Sequence, residues 1–190
     1  MNRISNAASR GFTLVELLIV VIILALLAAI VVPQFASSTD DAKLASLDTS
    51  LANLRSSIDL YYQQHGVYPG ANTALNVACT GTTGTGLGGA GAPGAQAFLD
   101  QMSMYTSAAG GACSIKDTTF QYGPYLKKNT LPDNPITANN ALEVVNTGDL
   151  AMTGTLPNLG WKFDIVAGKF IANDTTDPDG VGPEVSYDQR

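Results

Sequence analysis

Gly11-Phe12-Thr13-Leu14-Val15-Glu16-Leu17-Leu18-Ile19-Val20-Val21-Ile22-Ile23-Leu24-Ala25-Leu26-Leu27-Ala28-Ala29-Ile30-Val31-Val32-Pro33 is the stretch on which the fold turns. Leu17 to Val32 is a run of sixteen residues drawn only from Leu, Ile, Val and Ala, and nineteen of the twenty-one residues 12–32 are apolar. As an α-helix those residues reach about 31 Å, enough to cross a hydrocarbon core. A 190-residue chain has too little other structure to bury such a run on all sides, so the run belongs in a bilayer. It also explains an odd composition. The chain is 45% hydrophobic and 14% charged, an average over a lipid-soluble stem and an ordinary soluble remainder.

The flanks set orientation and exclude a cleaved secretory signal. Met1 to Gly11 is short and polar, with Arg3 and Arg10, and the next ten residues after Val32 carry no basic side chain. Positive charge stays on the cytoplasmic side, which places the remainder across the membrane. No Ala-x-Ala follows the apolar run, so the run is expected to stay on the chain. Ten Lys and Arg against sixteen Asp and Glu give a net charge of −6, which excludes a basic nucleic-acid binder.

Two residues interrupt the stem. Glu16 is a carboxylate at the edge of hydrocarbon, where it needs a headgroup, a partner or a function. Pro33 lacks an N–H and crowds the carbonyl of Ala29, so a kink is expected there. Beyond it the helical period resumes: Leu44, Leu47, Leu51, Leu54, Ile58 and Tyr61 recur every three or four residues, with Lys43, Asp48, Arg55 and Asp59 off the stripe. Gly66 and Pro69 mark a stop. Residues 12–65 are therefore expected to form one helix, membrane-embedded over 12–33 and amphipathic over 34–66.

The string Arg10-Gly11-Phe12-Thr13-Leu14-Val15-Glu16-Leu17 after a short basic leader resembles the class III signal of type IV pilins and type II secretion pseudopilins. The resemblance implies a pilin-like α+β fold, a long N-terminal helix packed on a small antiparallel sheet. It implies a leader peptide at 1–11, cut by a prepilin peptidase between Gly11 and Phe12, and N-methylation of Phe12. Losing Arg3 and Arg10 would take the charge from −6 to −8. It also implies that Glu16 meets the N-terminal amine of a neighbouring subunit during assembly, an ion pair that selects one axial register. The partners implied are further copies in a helical homopolymer, the peptidase, an inner-membrane assembly platform with its ATPase, minor pilins or pseudopilins, and lipid before assembly. The expected location is the bacterial inner membrane, single-pass, with the head outside the cytoplasm, and then the fibre.

The head, residues 67–190, is read in pieces. Seven of the fourteen residues 81–94 are glycine, which predicts a loose surface loop; without Gly-Lys-Ser/Thr it is no phosphate cradle. Ala95–Tyr105 predicts a short helix. Cys79 and Cys113 bracket that region, and an even cysteine count in an oxidising compartment predicts a disulfide. His65, the sole histidine, is expected to cap the helix or face solvent, since two cysteines and a distant histidine are a poor zinc set. The period-2 pattern of Trp161, Phe163 and Ile165, the turn at Ala167-Gly168 and Lys169–Ala172 predict a hairpin, preceded by a strand at Leu142–Val145, so that the sheet occupies about 140–172.

The Gly-Pro-Tyr-Leu segment at 123–126 and the Gly160-Trp161-x-Phe163 hairpin are similar to major pseudopilins. The cysteine placement departs from many type IV pilins, whose disulfide encloses a C-terminal segment, whereas Cys79 and Cys113 lie in the first half of the head; that departure tilts the reading toward a pseudopilin-like subunit. Calcium loops occur at the C-terminal end of some major pseudopilins, and Asp174, Asp177, Asp179 and Glu184 beside Gly180 make a candidate oxygen set, though not at EF-hand spacing. No other cofactor is indicated. No Gly-x-Ser-x-Gly or paired-carboxylate scaffold supports catalysis. The readings carried forward are a pseudopilus or pilus subunit, a pilin for adhesion, motility or DNA uptake, and a membrane-anchored binding domain. The acidic head argues against direct nucleic-acid contact.

Overall fold

The computed structural model describes residues 12–157, 159–175 and 188, with only the backbone described over 32–38. Helix α1 runs Leu14–His65 as a single 52-residue element, close to the span expected, and it continues through Pro33. The side chain of Pro33 lies outside the described residues, and so does the predicted kink. The chain divides into two compact units, residues 1–42 and 43–190.

In the first unit, Leu14–Val31 has a mean hydropathy of 3.3 and none of it is buried by protein. By length and composition it can cross a membrane. An all-round apolar helix with no protein around it has lipid or other apolar helices as its stable surroundings.

In the second unit the amphipathic stripe does its packing. Leu47, Leu51, Leu54, Ile58 and Tyr61 are each at most 3% exposed, while Leu44, at the start of the stripe, is half-buried. At ~2 kcal/mol for each large apolar side chain removed from water, these five contribute on the order of 10 kcal/mol before entropy. Their partners are Phe98 and Met102 of α2 (Ala92–Ser103), Leu131, and the aromatic face of the sheet. Phe98 meets Phe163 edge-on at 5.3 Å, and Trp161 stacks on Phe170 at 5.5 Å. The Trp161 indole donates to the Pro132 carbonyl at 2.8 Å, so the largest core residue leaves no polar atom unpaired.

Two small sheets complete the head. β1 (Tyr105–Thr106) pairs antiparallel with β2 (Ala112–Cys113). β3 (Leu142–Val145), β4 (Trp161–Asp164) and β5 (Phe170–Ala172) lie in that order in the second. The predicted hairpin is β4–β5, antiparallel with Phe163 opposite Phe170. The sheet is nevertheless mixed, because β3 pairs parallel with β4, Val144 opposite Phe163. The crossover from Asn146 to Gly160 is long enough for the parallel return that a hairpin turn cannot make.

The glycine-rich tract 81–94 is an ordered part of the head rather than a loose loop. Its backbone is bonded throughout: Gly84 N–H to Ala112 O, Gly86 O from Ala74 N–H, Gly89 N–H to Gly70 O, and Gly91 N–H to Val144 O. The buried Asp100 carboxylate accepts the N–H groups of Thr85 at 2.7 Å and Gly86 at 3.1 Å. A Cβ on Gly86 would lie 2.0 Å from the Ala97 nitrogen, and one on Gly94 would lie 1.6 Å from the Gly89 oxygen. Glycine recurs because chain passes against chain with no room for a side chain.

Candidate functional site: the N-terminal end of the apolar helix

Thr13 precedes the helix and Glu16 is its third residue, and the two form a capping box. The Glu16 N–H donates to Thr13 Oγ1 at 3.2 Å. In return Glu16 Oε2 accepts from the Thr13 N–H at 3.0 Å and from its hydroxyl at 2.8 Å. Two bonds therefore hold the Glu16 carboxylate against the positive end of its own helix, and a third returns from the Glu16 N–H to the cap. Glu16 is exposed, and Phe12, just ahead of the cap, is 75% exposed. Below the cap, Leu14, Leu17, Leu18 and Val21 line a groove of about 290 Å³ without polar lining. The arrangement can do two things chemically. It presents an acceptor carboxylate beside Phe12, and it presents aliphatic surface for another helix.

Hydropathy and charge pick out Glu16 but pass over Thr13. The signal that finds it is Thr-x-x-Glu immediately before an apolar run. Gly11, on the other side of the expected cut, lies outside the described residues.

The other predicted site residues fall elsewhere in the head. Cys79 and Cys113 are disulfide-bonded with Cα atoms 5.5 Å apart, and Cys113 sits in β2 opposite Thr83 of the glycine tract. Of the candidate calcium ligands, Asp174 is buried beside the backbone of Gly154, and Asp177, Asp179 and Glu184 lie outside the described residues. Among the described residues no group of three or more His, Cys, Asp or Glu is placed to hold a metal ion.

His65 neither caps α1 nor faces open solvent; it is half-buried. Its Nε2 lies 3.0 Å from Thr106 Oγ1 and 3.1 Å from the Tyr125 hydroxyl, its Nδ1 lies 3.4 Å from the Ala108 carbonyl, and its ring lies tilted over Tyr61 with centroids 4.1 Å apart. Burial pushes its pKa down, against the raising effect of the Ala108 carbonyl.

Comparison with known proteins bears on the N-terminal segment first. Residues 6–32 match the family described as the prokaryotic N-terminal methylation motif. The chain is 37% identical over 73 residues to a fimbrial protein of Neisseria meningitidis serogroup B, covering 38% of this chain and 43% of that one. It is 34% identical over 73 residues to the type IV major pilin protein PilE of Neisseria gonorrhoeae, covering 38% and 44%. It is 36% identical over 74 residues to the type II secretion system core protein G of Pseudomonas aeruginosa, covering 39% and 52%. The chain thus spans about half or less of the length of these curated relatives. No solved structure matches it. A methylation motif joined to an apolar helix marks a membrane-anchored chain with a pilin-like α+β fold. The chain carries a prepilin-type N-terminal methylation segment and is related through it to the type IV pilins and type II secretion pseudopilins.

Proposed function

We propose that the protein is a structural subunit, not an enzyme, of a type II secretion pseudopilus or type IV pilus-like fibre. Prepilin peptidase cuts between Gly11 and Phe12 and Phe12 is N-methylated; the stem holds the subunit in the inner membrane with its head outside the cytoplasm, until an assembly platform and ATPase polymerise it. The observation that carries this reading is the capped Glu16 within the matched motif, at the head of a fully exposed aliphatic helix. In the fibre the Glu16 carboxylate accepts the Phe12 amine of a neighbour, and the aliphatic surface of the stem is buried between helices.

The experiment is Glu16→Ala in the full chain. The expected result is a processed, membrane-held subunit whose sheared fibre yield falls at least tenfold; wild-type yield overturns the reading. Intact mass of the mature wild-type protein should show N-methylated Phe12 first, and any other N-terminus overturns the processing step. Whether loss of the protein stops secretion of folded exoproteins or stops surface motility separates pseudopilus from pilus.

A calcium ion held by Asp174, Asp177, Asp179 and Glu184 is proposed on the donor chemistry, hard carboxylate oxygens beside a glycine. Millimolar calcium is then expected to raise the melting temperature of the head over EDTA-treated protein, with magnesium failing to substitute; equal melting curves overturn it.

A further inference from the structure

The face of the larger sheet turned away from the core carries three polar side chains in one place. The register puts Glu143 of β3 beside Lys162 of β4, and Lys162 beside Ile171 of β5. Val144, Trp161, Phe163 and Phe170 belong to the core, so Glu143, Lys162 and Ile171, one position along each strand, project from the opposite face. Asn173 follows Ala172, and its N–H donates to the Gly160 carbonyl, which extends the β4–β5 ladder by one pair. It shares the face of Ile171 and is thus the diagonal neighbour of Lys162, at a separation of ~7 to 8 Å that a lysine side chain spans. This face is covered. Lys162 is 6% exposed and Asn173 is fully buried. The cover is the crossover segment 153–155: Lys162 Nζ donates to the Thr153 carbonyl at 3.0 Å, and the Thr155 N–H donates to Asn173 Oδ1 at 2.7 Å. Amine and amide therefore rest on peptide groups two residues apart on one strap, whose middle is held by the bond from the Gly154 N–H to Asp188 at 2.7 Å.

The Asn173 amide is held as an activated acyl group. Its oxygen takes a short bond from a backbone N–H, which draws charge from Cγ and is placed to stabilise the oxyanion of an addition step. Its nitrogen donates to Glu143 Oε2 at 2.9 Å, so a carboxylate stands at the atom that must be protonated in order to leave. The same Oε2 accepts the Thr155 hydroxyl, which fixes the carboxylate in position. The described partner of the Lys162 ammonium is a neutral carbonyl, and Glu143 stands at the neighbouring register position to take its proton. Burial keeps away the water that hydrolyses an activated amide.

We propose that Lys162 and Asn173 become joined by an intramolecular amide bond, with Glu143 as the proton carrier. The Nζ–Cγ bond forms as the Cγ–Nδ2 bond breaks, two protons pass from Nζ to Nδ2 by way of Glu143, and the nitrogen leaves as ammonium. The step needs no oxidant, reductant or co-reactant, and Glu143 ends as it began. The bond ties β4 to the residue after β5, so the end of the sheet no longer depends on hydrogen bonds alone. The inference does not rest on the fibre reading.

The test is the intact mass of the wild-type chain, extracted from its host membrane in detergent. The expected mass is one ammonia below what its own N-terminus and disulfide require, and protease digestion should give a branched peptide joining Lys162 to Asn173. Lys162→Arg and Glu143→Gln should each restore the full mass and linear peptides. A wild-type chain of full mass overturns the inference. So does loss of ammonia without the branched peptide, which is the signature of a succinimide between Asn173 and Asp174. A Glu143→Gln chain that still carries the branch overturns the role given to Glu143. The wild-type mass decides the main question, so a variant that fails to fold leaves the test intact. Fibres built from unbranched subunits overturn this inference alone, whereas branched subunits that form no fibre overturn the fibre reading alone.

Discussion

Tyr61 is fully buried, and its hydroxyl has no hydrogen-bond partner among the described residues, although its ring meets His65 at a tilt and Tyr125 edge-on. Burial pushes the phenol well above its ordinary pKa, with Tyr125 adding to the shift, so the group stays neutral and forgoes one bond. A Cβ on Gly110 would lie only 3.0 Å from that oxygen, so the chain passes close without supplying an acceptor. Removing an unsatisfied buried hydroxyl while keeping the ring is worth up to about 1 kcal/mol. Tyr61→Phe is therefore expected to leave the head as stable or more stable, read as an unchanged or higher urea midpoint. A fall of more than about 1 kcal/mol would mean that the hydroxyl is bonded after all.

At the scale of elements, the disulfide joins the turn at Cys79 to β2, enclosing the glycine tract and α2 between residues 34 apart. Closing a loop of that length removes about 4 kcal/mol worth of unfolded-state entropy in the chain-entropy model. Reduction should lower the denaturant midpoint of the head by a corresponding amount without moving α1 out of helix, which circular dichroism of reduced and oxidised protein checks. The cysteine pair was legible in the sequence, as were α1, α2 within a few residues, and the β4–β5 hairpin, because periodicity and cysteine parity are local signals. The parallel pairing of β3 was not, since strand direction is decided by where a fifteen-residue crossover returns rather than by any residue in the strand. Nor were the roles of Asp100 and Gln101. Gln101 is buried and links Gly70, Asn72 and Gly110, contacts between segments up to 31 residues apart that composition does not announce. At the candidate site Glu16 stood out as a charge among aliphatics, whereas Thr13 blended into the leader side of the motif.

In the head, two titrations among the described residues make stability depend on acidity. His65 has its pKa lowered by burial, so the unfolded chain binds a proton more readily, and stability falls as pH drops below the unfolded value of about 6.5. Asp164 behaves as a depressed carboxylate. Burial acts to raise it, but bonds from Thr147, Ala167, Val166 and Asp149 outweigh that, so its contribution holds above about 3.8 and is lost below. The urea midpoint is expected to be highest above pH 7, to decline through pH 6 and to decline again below pH 4. His65→Gln should flatten the first decline alone; a midpoint that rises on going from pH 7.5 to 5.5 contradicts the assignment.

The tightness at Gly86 and Gly94 inverts the usual guidance for engineering this molecule. A glycine-rich stretch is where one would normally splice an epitope, a fluorophore or a labelling cysteine, because such segments tolerate extra chain. Here the stretch is clasped by Asp100 and by the carbonyls of three other segments, so a graft within 84–94 would pry α2 away from β3. Exposed turns such as the one holding Val77, which is 98% exposed, are the permissive positions for a tag that has to ride on an assembled subunit.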